Sequence, residues 1–257
     1  MALTTIVGGS TADSYVSLIE ANSYIASRPD SKNWNDNDYL ERERLLRQAT
    51  IDLDILRFKG NKLFQGGEGN VFGAILITSI FDVIYNGYQS LQFPRDWHEY
   101  YTGYANGGST TTLIDTTFTE LAREDNYFKY GSIYILSGTN KGEYRNITGY
   151  VTATGTFTTV AFTNAIDTTS QYLLLAPIDK YIKYAVIEQG LHLANNLELS
   201  KFQEWKNSGI IARSIGDVSI RFDVGTRSLD CVGGMIATHS YRYIQKFINR
   251  SVGMGRG

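Results

Sequence analysis

The chain has a single cysteine, Cys231, among its 257 residues, so it can neither close a disulfide on itself nor build a four-cysteine zinc module. Its three histidines, His98, His192 and His239, share no metal-ligand spacing such as H-E-x-x-H. No run reaches the ~20 apolar residues of a membrane-crossing helix. The nearest, residues 71–84, is too short and carries Asp82. No charged-then-apolar leader opens the sequence. There is no G-x-S-x-G elbow for a nucleophilic serine and no G-x-x-x-x-G-K-S/T phosphate loop. The glycines at 66, 67 and 69 are followed by neither a lysine nor a clear helix, and we read them as a loop. These absences point to a soluble protein of a reducing compartment, with no cofactor, no metal, no membrane partner and no enzymatic activity.

What is present is globular. At 42% apolar and 13% aromatic residues the chain is too hydrophobic for disorder, and its length suits one large domain or two small ones. Charge is distributed unevenly. Residues 201–257 hold nine lysines and arginines against four acids, a net +5, whereas residues 1–200 net −7. An acidic body with a basic end gives the molecule a polarity that can orient it against a partner.

Two helix-start signals lie near the beginning. Ser17 with Glu20 three positions on forms a capping-box pattern, predicting a helix to about residue 28 before Pro29, with Leu18, Ala21 and Ile25 inward. Asp38 with Glu41 repeats the signal. Leu45, Ala49, Leu53 and Leu56 then mark one helix face up to Gly60, with a charged opposite face that includes the pair Glu43 and Arg47. Asn33, Asn35 and Asn37 imitate the start of a calcium loop, but Asp38 stands where glycine is required and Arg44 where the bidentate glutamate belongs, so we reject calcium there. For residues 71–84, rich in β-branched side chains, helix and strand compete. Phe93-Pro94-Arg95 reads as extended.

From residue 102 to 177 threonine, glycine and tyrosine dominate and helical periodicity vanishes. Runs at 110–114, 132–137, 143–148, 156–162 and 172–175 read as strands of a small antiparallel sheet or barrel, with 138–142 as a hairpin connection. Helical sequence resumes at 178 and runs to about 199, apolar nearly all round, so that two sides need cover. Gly190 inside it suggests a close backbone contact. Residues 210–224 alternate as one or two strands bent at Gly216-Asp217. A last helix is predicted over 232–249, with Ala237, Tyr241, Ile244 and Ile248 on one side and the basic stripe His239, Arg242, Lys246 and Arg250 on another. The expected fold is α+β: 1–101 as the first part of a helical core, 102–177 as an inserted β domain, and 178–257 as a core helix, a β element and a C-terminal helix. Two features can bind: the aromatic cluster Phe93, Trp97, Tyr100, Tyr101 and Tyr104, suited to stacking bases or sugars, and the basic stripe.

The opening Ala2-Leu3-Thr4, with Ala12-Asp13-Ser14-Tyr15-Val16-Ser17-Leu18-Ile19-Glu20-Ala21 after it, resembles that of a tailed-bacteriophage family. These are head-completion, or head–tail connector, adaptor proteins, also labelled DnaT-like single-stranded-DNA-binding proteins. The likeness continues, in order, through Arg47-Gln48-Ala49-Thr50 with Leu53-Asp54, Gln89-Ser90-Leu91-Gln92-Phe93-Pro94-Arg95, the helix resuming at Pro177-Ile178, and Arg213-Ser214-Ile215-Gly216-Asp217-Val218-Ser219-Ile220. The insert and residues 71–84 depart from its short members. The resemblance implies a helical-bundle adaptor core and a homo-oligomeric ring, commonly of twelve copies, under the portal protein at the virion neck. It implies that the next neck or tail component docks on the body and that DNA passes the lumen without sequence-specific contact. It assigns portal docking to His239, Arg242, Lys246, Arg250 and Arg256, and subunit packing to Tyr184, Ile187, Leu191 and Ala194. Such a protein is made in the cytoplasm of a host bacterium. The alternatives are a single-stranded-DNA-binding protein, or a glycan-binding accessory subunit acting through the insert.

Overall fold

The computed structural model describes residues 3–64, 89–195, 212–215, 218–221, 231–232 and 236–249. It holds both helices and an antiparallel sheet, an α+β composition. The chain divides into two compact units, one comprising Val16–Leu56 and Tyr181–Ile248, the other Leu3–Tyr15 and Arg57–Lys180 together with Asn249 onward.

In the first unit, α1 (Leu18–Ile25) starts where the capping box requires: the Ser17 hydroxyl accepts from the Glu20 N–H at 3.3 Å, and Glu20 accepts from the Ser17 N–H at 2.9 Å. Leu18, Ala21 and Ile25 are buried. The helix stops short of residue 28, and the Arg28 N–H instead closes a turn onto the Ile25 carbonyl at 2.8 Å. A one-turn helix, α2 (Lys32–Asp36), was not legible in the asparagine-rich sequence; it buries Trp34, whose indole N–H donates to Asn22 at 2.9 Å. Helix α3 (Tyr39–Asp54) again begins at its capping box, Asp38 with Glu41, and ends six residues before Gly60. Leu45, Ala49 and Leu53 are buried as expected, but so is Glu43, which the helical wheel placed on the charged face.

Helix α4 (Lys180–Asn195) buries Ile182, Ala185, Val186, Ile187, Leu191 and Ala194; residues 196–199 of the expected helix lie outside the described residues. The unit also contains an antiparallel hairpin of β8 (Ala212–Ile215) and β9 (Val218–Arg221), then β10 (Cys231–Val232) paired with β11 (Ile236–Ala237), then α5 (Thr238–Ile244). The last helix is therefore much shorter than the expected 232–249. Val232 pairs with Ile236 as a strand, and beyond Ile244 the chain turns, with the Phe247 N–H on the Ile244 carbonyl at 2.9 Å.

The second unit is built on seven strands: β1 (Tyr100–Tyr104), β2 (Gly107–Gly108), β3 (Thr112–Ile114), β4 (Ser132–Ser137), β5 (Tyr144–Val151), β6 (Thr156–Thr159) and β7 (Gln171–Leu175). They lie in the order β1-β7-β4-β5-β6-β3-β2, every neighbour antiparallel. The two edge strands are consecutive in the chain with only Ala105 and Asn106 between them, so the sheet must curl until the end of β1 comes near the start of β2, while the two edges stay unpaired with each other, forming a half-barrel. Ile133, Ile135, Ile147, Tyr150, Phe157, Tyr172 and Leu174 fill its inner face. Phe118, from a 3₁₀ helix over Thr116–Leu121, plugs the core.

Strand alternation sends Tyr134, Leu173 and Leu175 to the opposite face, and they are buried too. Leu3–Tyr15 accounts for part of that cover. The Val7 N–H donates to the Ser132 hydroxyl at 3.0 Å, the Tyr134 hydroxyl donates to the Val7 carbonyl at 2.5 Å, and Gly8 lies against Leu175. The sheet unit is thus wider than the 102–177 segment visible in the composition.

Candidate functional site

Of the four α4 residues expected at a subunit interface, three lie in the interior of the single chain and Tyr184 is half-buried. Ile187, Leu191 and Ala194 are 2%, 1% and 6% exposed, and Tyr184 packs its ring on Tyr24 and Tyr243 at 4.8 and 5.6 Å between centroids. Buried polar groups fix this packing. Glu188 accepts from the Tyr24 hydroxyl at 2.6 Å and pairs with Arg28 at 3.1 Å. Burial, then the bond to Glu188, pushes the Tyr24 phenol far above its ordinary range. The Gln189 amide donates to Asp52 at 2.9 Å while its carbonyl accepts the Ala237 N–H at 2.9 Å, and the Ser240 hydroxyl donates to the Ala185 carbonyl at 2.8 Å. One helix therefore ties together α1, α3, β11 and α5. A satisfied buried network of this kind specifies a single packing.

Of the basic stripe, His239 and Arg242 are exposed on α5. Lys246 lies past the end of that helix, its ammonium 4.0 Å from the centre of the Tyr181 ring and 4.5 Å from that of Phe247. Arg250 and Arg256 lie outside the described residues. The three residues that are described thus do not share one helix face.

The aromatic cluster is likewise split. Phe93 is buried, packed on Phe58, Tyr15 and Trp97 at 4.7, 5.7 and 5.9 Å, whereas Trp97, Tyr100 and Tyr104 are exposed. Tyr101 turns toward the half-barrel core against Phe118. Arg95, absent from the sequence candidates, is 5% exposed and spends its guanidinium on the carbonyls of Phe58, Lys59 and Gly60. Its role is to hold the loop that precedes the sheet.

A site that sequence reasoning missed opens beside β1. A cleft of about 320 Å³ lies between that edge strand and the 3₁₀ helix, walled by Tyr101, Tyr104, Phe118 and Leu121, with Asn106 and Thr117 at its sides. Asp115 lines it at only 4% exposure. Its carboxylate caps the 3₁₀ helix, accepting the Thr117 N–H at 2.9 Å and the Thr117 hydroxyl at 2.6 Å, and it also accepts the Tyr172 hydroxyl. Burial first, and then this bond, raises the Tyr172 phenol well above its usual range. Gly103 faces the pair: a Cβ there would stand 3.0 Å from both Asp115 Oδ2 and the Tyr172 hydroxyl. Its missing side chain lets the strand pass close over both groups.

Just before β1, Glu99 gathers a second polar cluster. It accepts from the hydroxyls of Tyr101 and Tyr127, each at 2.6 Å, and from Arg123 at 2.7 Å. Burial pushes its carboxyl upward, but the tyrosine hydroxyls and the Arg123 charge outweigh that and hold it below the ordinary range. The Tyr127 phenol, through burial and its bond to Glu99, is pushed up to about 12.

Among the described residues no three His, Cys, Asp or Glu side chains gather as a metal site, and no helix is long and apolar enough to cross a membrane. Comparison with known proteins finds no family model, no curated protein and no solved structure that matches the chain.

Proposed function

We propose that the chain is a structural protein of a tailed-bacteriophage particle: a non-enzymatic head-to-tail adaptor that forms a ring beneath the portal, extends the DNA channel and gives the tail its platform. In this proposal the first unit is the adaptor core and the sheet unit its insert. The observation that carries it is convergence. The resembling segments around Ser17–Glu20 and Arg47–Asp54, and the helix that resumes after Pro177-Ile178, become α1, α3 and α4. These meet through Tyr24–Glu188, Lys183–Glu20 and Asp52–Gln189, although more than 130 residues separate them in sequence.

A ring also needs surface to spare. With the α4 row spent inside the chain, the contacts between copies fall to apolar residues left bare on α1 and along α3: Ile19, Leu40, Ile51 and Ile55, 78%, 49%, 55% and 64% exposed. Leu40 and Ile51 are eleven residues apart, close to three turns, so they share a side of α3. Symmetric repetition converts such modest patches into a closed assembly. Portal docking falls to the basic end beyond Asn249, a residue tied to the carbonyls of Arg57 and Phe58.

The test is sedimentation of the purified full chain with and without portal rings, alongside a variant truncated after Asn249. The proposal expects a ring, or portal-induced assembly, and loss of portal binding on truncation with the fold intact. A protein that stays monomeric with portal and instead binds single-stranded DNA, with affinity falling steeply in salt, would overturn it.

A further inference from the structure

We infer that the cleft beside β1 receives a cationic side chain, arginine in preference to lysine, carried on an extended polypeptide segment laid along that edge strand. The inference stands apart from the adaptor proposal, because every observation behind it lies within the sheet unit.

The first observation is a buried charge without a counter-charge. Asp115 is 4% exposed, and its acceptors are met only by neutral donors, the Thr117 N–H and hydroxyl and the Tyr172 hydroxyl. Among the described residues no lysine, arginine or histidine pairs with it. Carboxylates this deep are normally paired with a cation. Capping a single 3₁₀ turn needs only one of its oxygens, Oδ1; the other accepts the Tyr172 hydroxyl and lies beside Gly103 on the cleft side of β1.

Second comes the glycine beside it. Gly103 is the middle of an otherwise tyrosine- and threonine-rich strand, and glycine inside a strand often marks a place where another group approaches closely. Here no positive φ demands it; the close approach of the Asp115 carboxylate and the Tyr172 hydroxyl does. Third, the walls are aromatic. Tyr104 is 60% exposed beside the cleft, and an aromatic face attracts a cation, most strongly a flat guanidinium that can stack on it while donating to a carboxylate.

The edge strand supplies the rest. The Ala176 N–H donates to the Glu99 carbonyl at 3.1 Å and the Ala105 N–H to the Ser170 carbonyl at 3.0 Å. Antiparallel alternation then aims the backbone groups of Glu99, Tyr101, Gly103 and Ala105 at β7, and those of Tyr100, Thr102 and Tyr104 away from it. No other described strand pairs with β1. An incoming extended segment can hydrogen-bond to that edge and lower one side chain into the cleft. The region 99–177 carries seven acids against four bases, a field that favours a basic segment over an acidic one. A sugar hydroxyl can also donate to Asp115, but it leaves the charge uncompensated.

The test is titration calorimetry of the full-length protein with the capped peptide Ac-Thr-Arg-Thr-NH2. The controls are the same peptide with citrulline, which keeps the shape and loses the charge, and methyl α-glucoside. The expected result is saturable binding of the arginine peptide, at least about tenfold weaker binding with citrulline, and none of the glucoside. Tyr104→Ser, at an exposed position that leaves the fold alone, is expected to weaken arginine binding about fivefold. Gly103→Ala, whose methyl would press on Asp115 Oδ2 and the Tyr172 hydroxyl, should weaken it further. Equal binding of the two peptides, a preference for the glucoside, or no saturable heat with the arginine peptide would each overturn the inference, as would a Tyr104→Ser protein that binds unchanged.

Discussion

Glycine at position 190 offers a sharp test of the packing in the helical unit. Within a helix, glycine costs about 1 kcal/mol relative to alanine, and the sequence suggests that a close contact forces its use here. The geometry points the other way. A methyl at this position would stand 3.4 Å from Leu46 Cδ2, 3.6 Å from Trp34 and 3.9 Å from Ala49 Cβ, all ordinary van der Waals distances. Nothing has to shift to admit it, so the gain in helix propensity is not offset by overlap. Gly190→Ala is therefore expected to stabilise the protein by about 1 kcal/mol, through a stiffer unfolded chain and a filled contact between α4 and α3. For a chain of this size that corresponds to a rise in Tm of about 2–4 °C. Urea unfolding followed by far-ultraviolet circular dichroism, with calorimetry for Tm, measures both. A loss of stability beyond about 0.5 kcal/mol, the range of a neutral substitution, would refute the reasoning and mean that α3 and α4 approach more closely than described.

Two further outcomes concern the sheet unit. Gly155 has φ +59°, and a Cβ there would overlap the Asp115 carbonyl, while Gly142 has φ +87° with nothing near it. Gly155→Ala should cost roughly 2–4 kcal/mol and Gly142→Ala only about 1 kcal/mol, and thermal unfolding of the two variants in the reverse order would contradict the described turn. His98 is 9% exposed, with Nε2 2.8 Å from the Ala176 carbonyl. Burial lowers its pKa from 6.5, against the opposing pull of that carbonyl, Glu99 and Asp179. The unfolded chain therefore takes up a proton in a pH range where the folded one does not. Stability from this group is complete above 6.5 and drains away as pH falls through the lowered value. His98→Gln, which keeps a donor for the carbonyl, should show a shallower loss of Tm between about pH 7 and pH 5 than the wild type; identical slopes would remove His98 as the cause.

The elements most legible in the sequence were those with local causes. Ser17 with Glu20 and Asp38 with Glu41 fixed the starts of α1 and α3 because a capping box is complete within four residues. The run at 132–137 reads as a strand because Ile133, Ile135, Tyr134 and Leu136 are all β-prone. Strand β1 escaped notice because Tyr-Tyr-Thr-Gly-Tyr carries a glycine whose purpose lies in a contact with Asp115, twelve residues on, and Tyr172. The expected terminal helix was too long because the spacing of His239, Arg242 and Lys246 imitates a helix face, while the chain at 245–247 turns. Glu43 looked solvated on a helical wheel, which says nothing of what packs against the helix. The Asp115 cleft had only faint traces: an Asp-x-Thr cap and a glycine among tyrosines. The residue that joins them, Tyr172, is 57 positions from the carboxylate it caps.

Because Leu3–Tyr15 lies on the outer face of the half-barrel, the β-rich stretch cannot be excised at its compositional borders. A fragment cut at 102 and 177 would lose the first two residues of β1 and the partner of the Tyr134 hydroxyl, and would uncover a strip around Tyr134 and Leu175 that is now dry. Anyone wishing to study that half of the molecule alone would have to graft the opening segment back on, through a linker or as a separately supplied peptide.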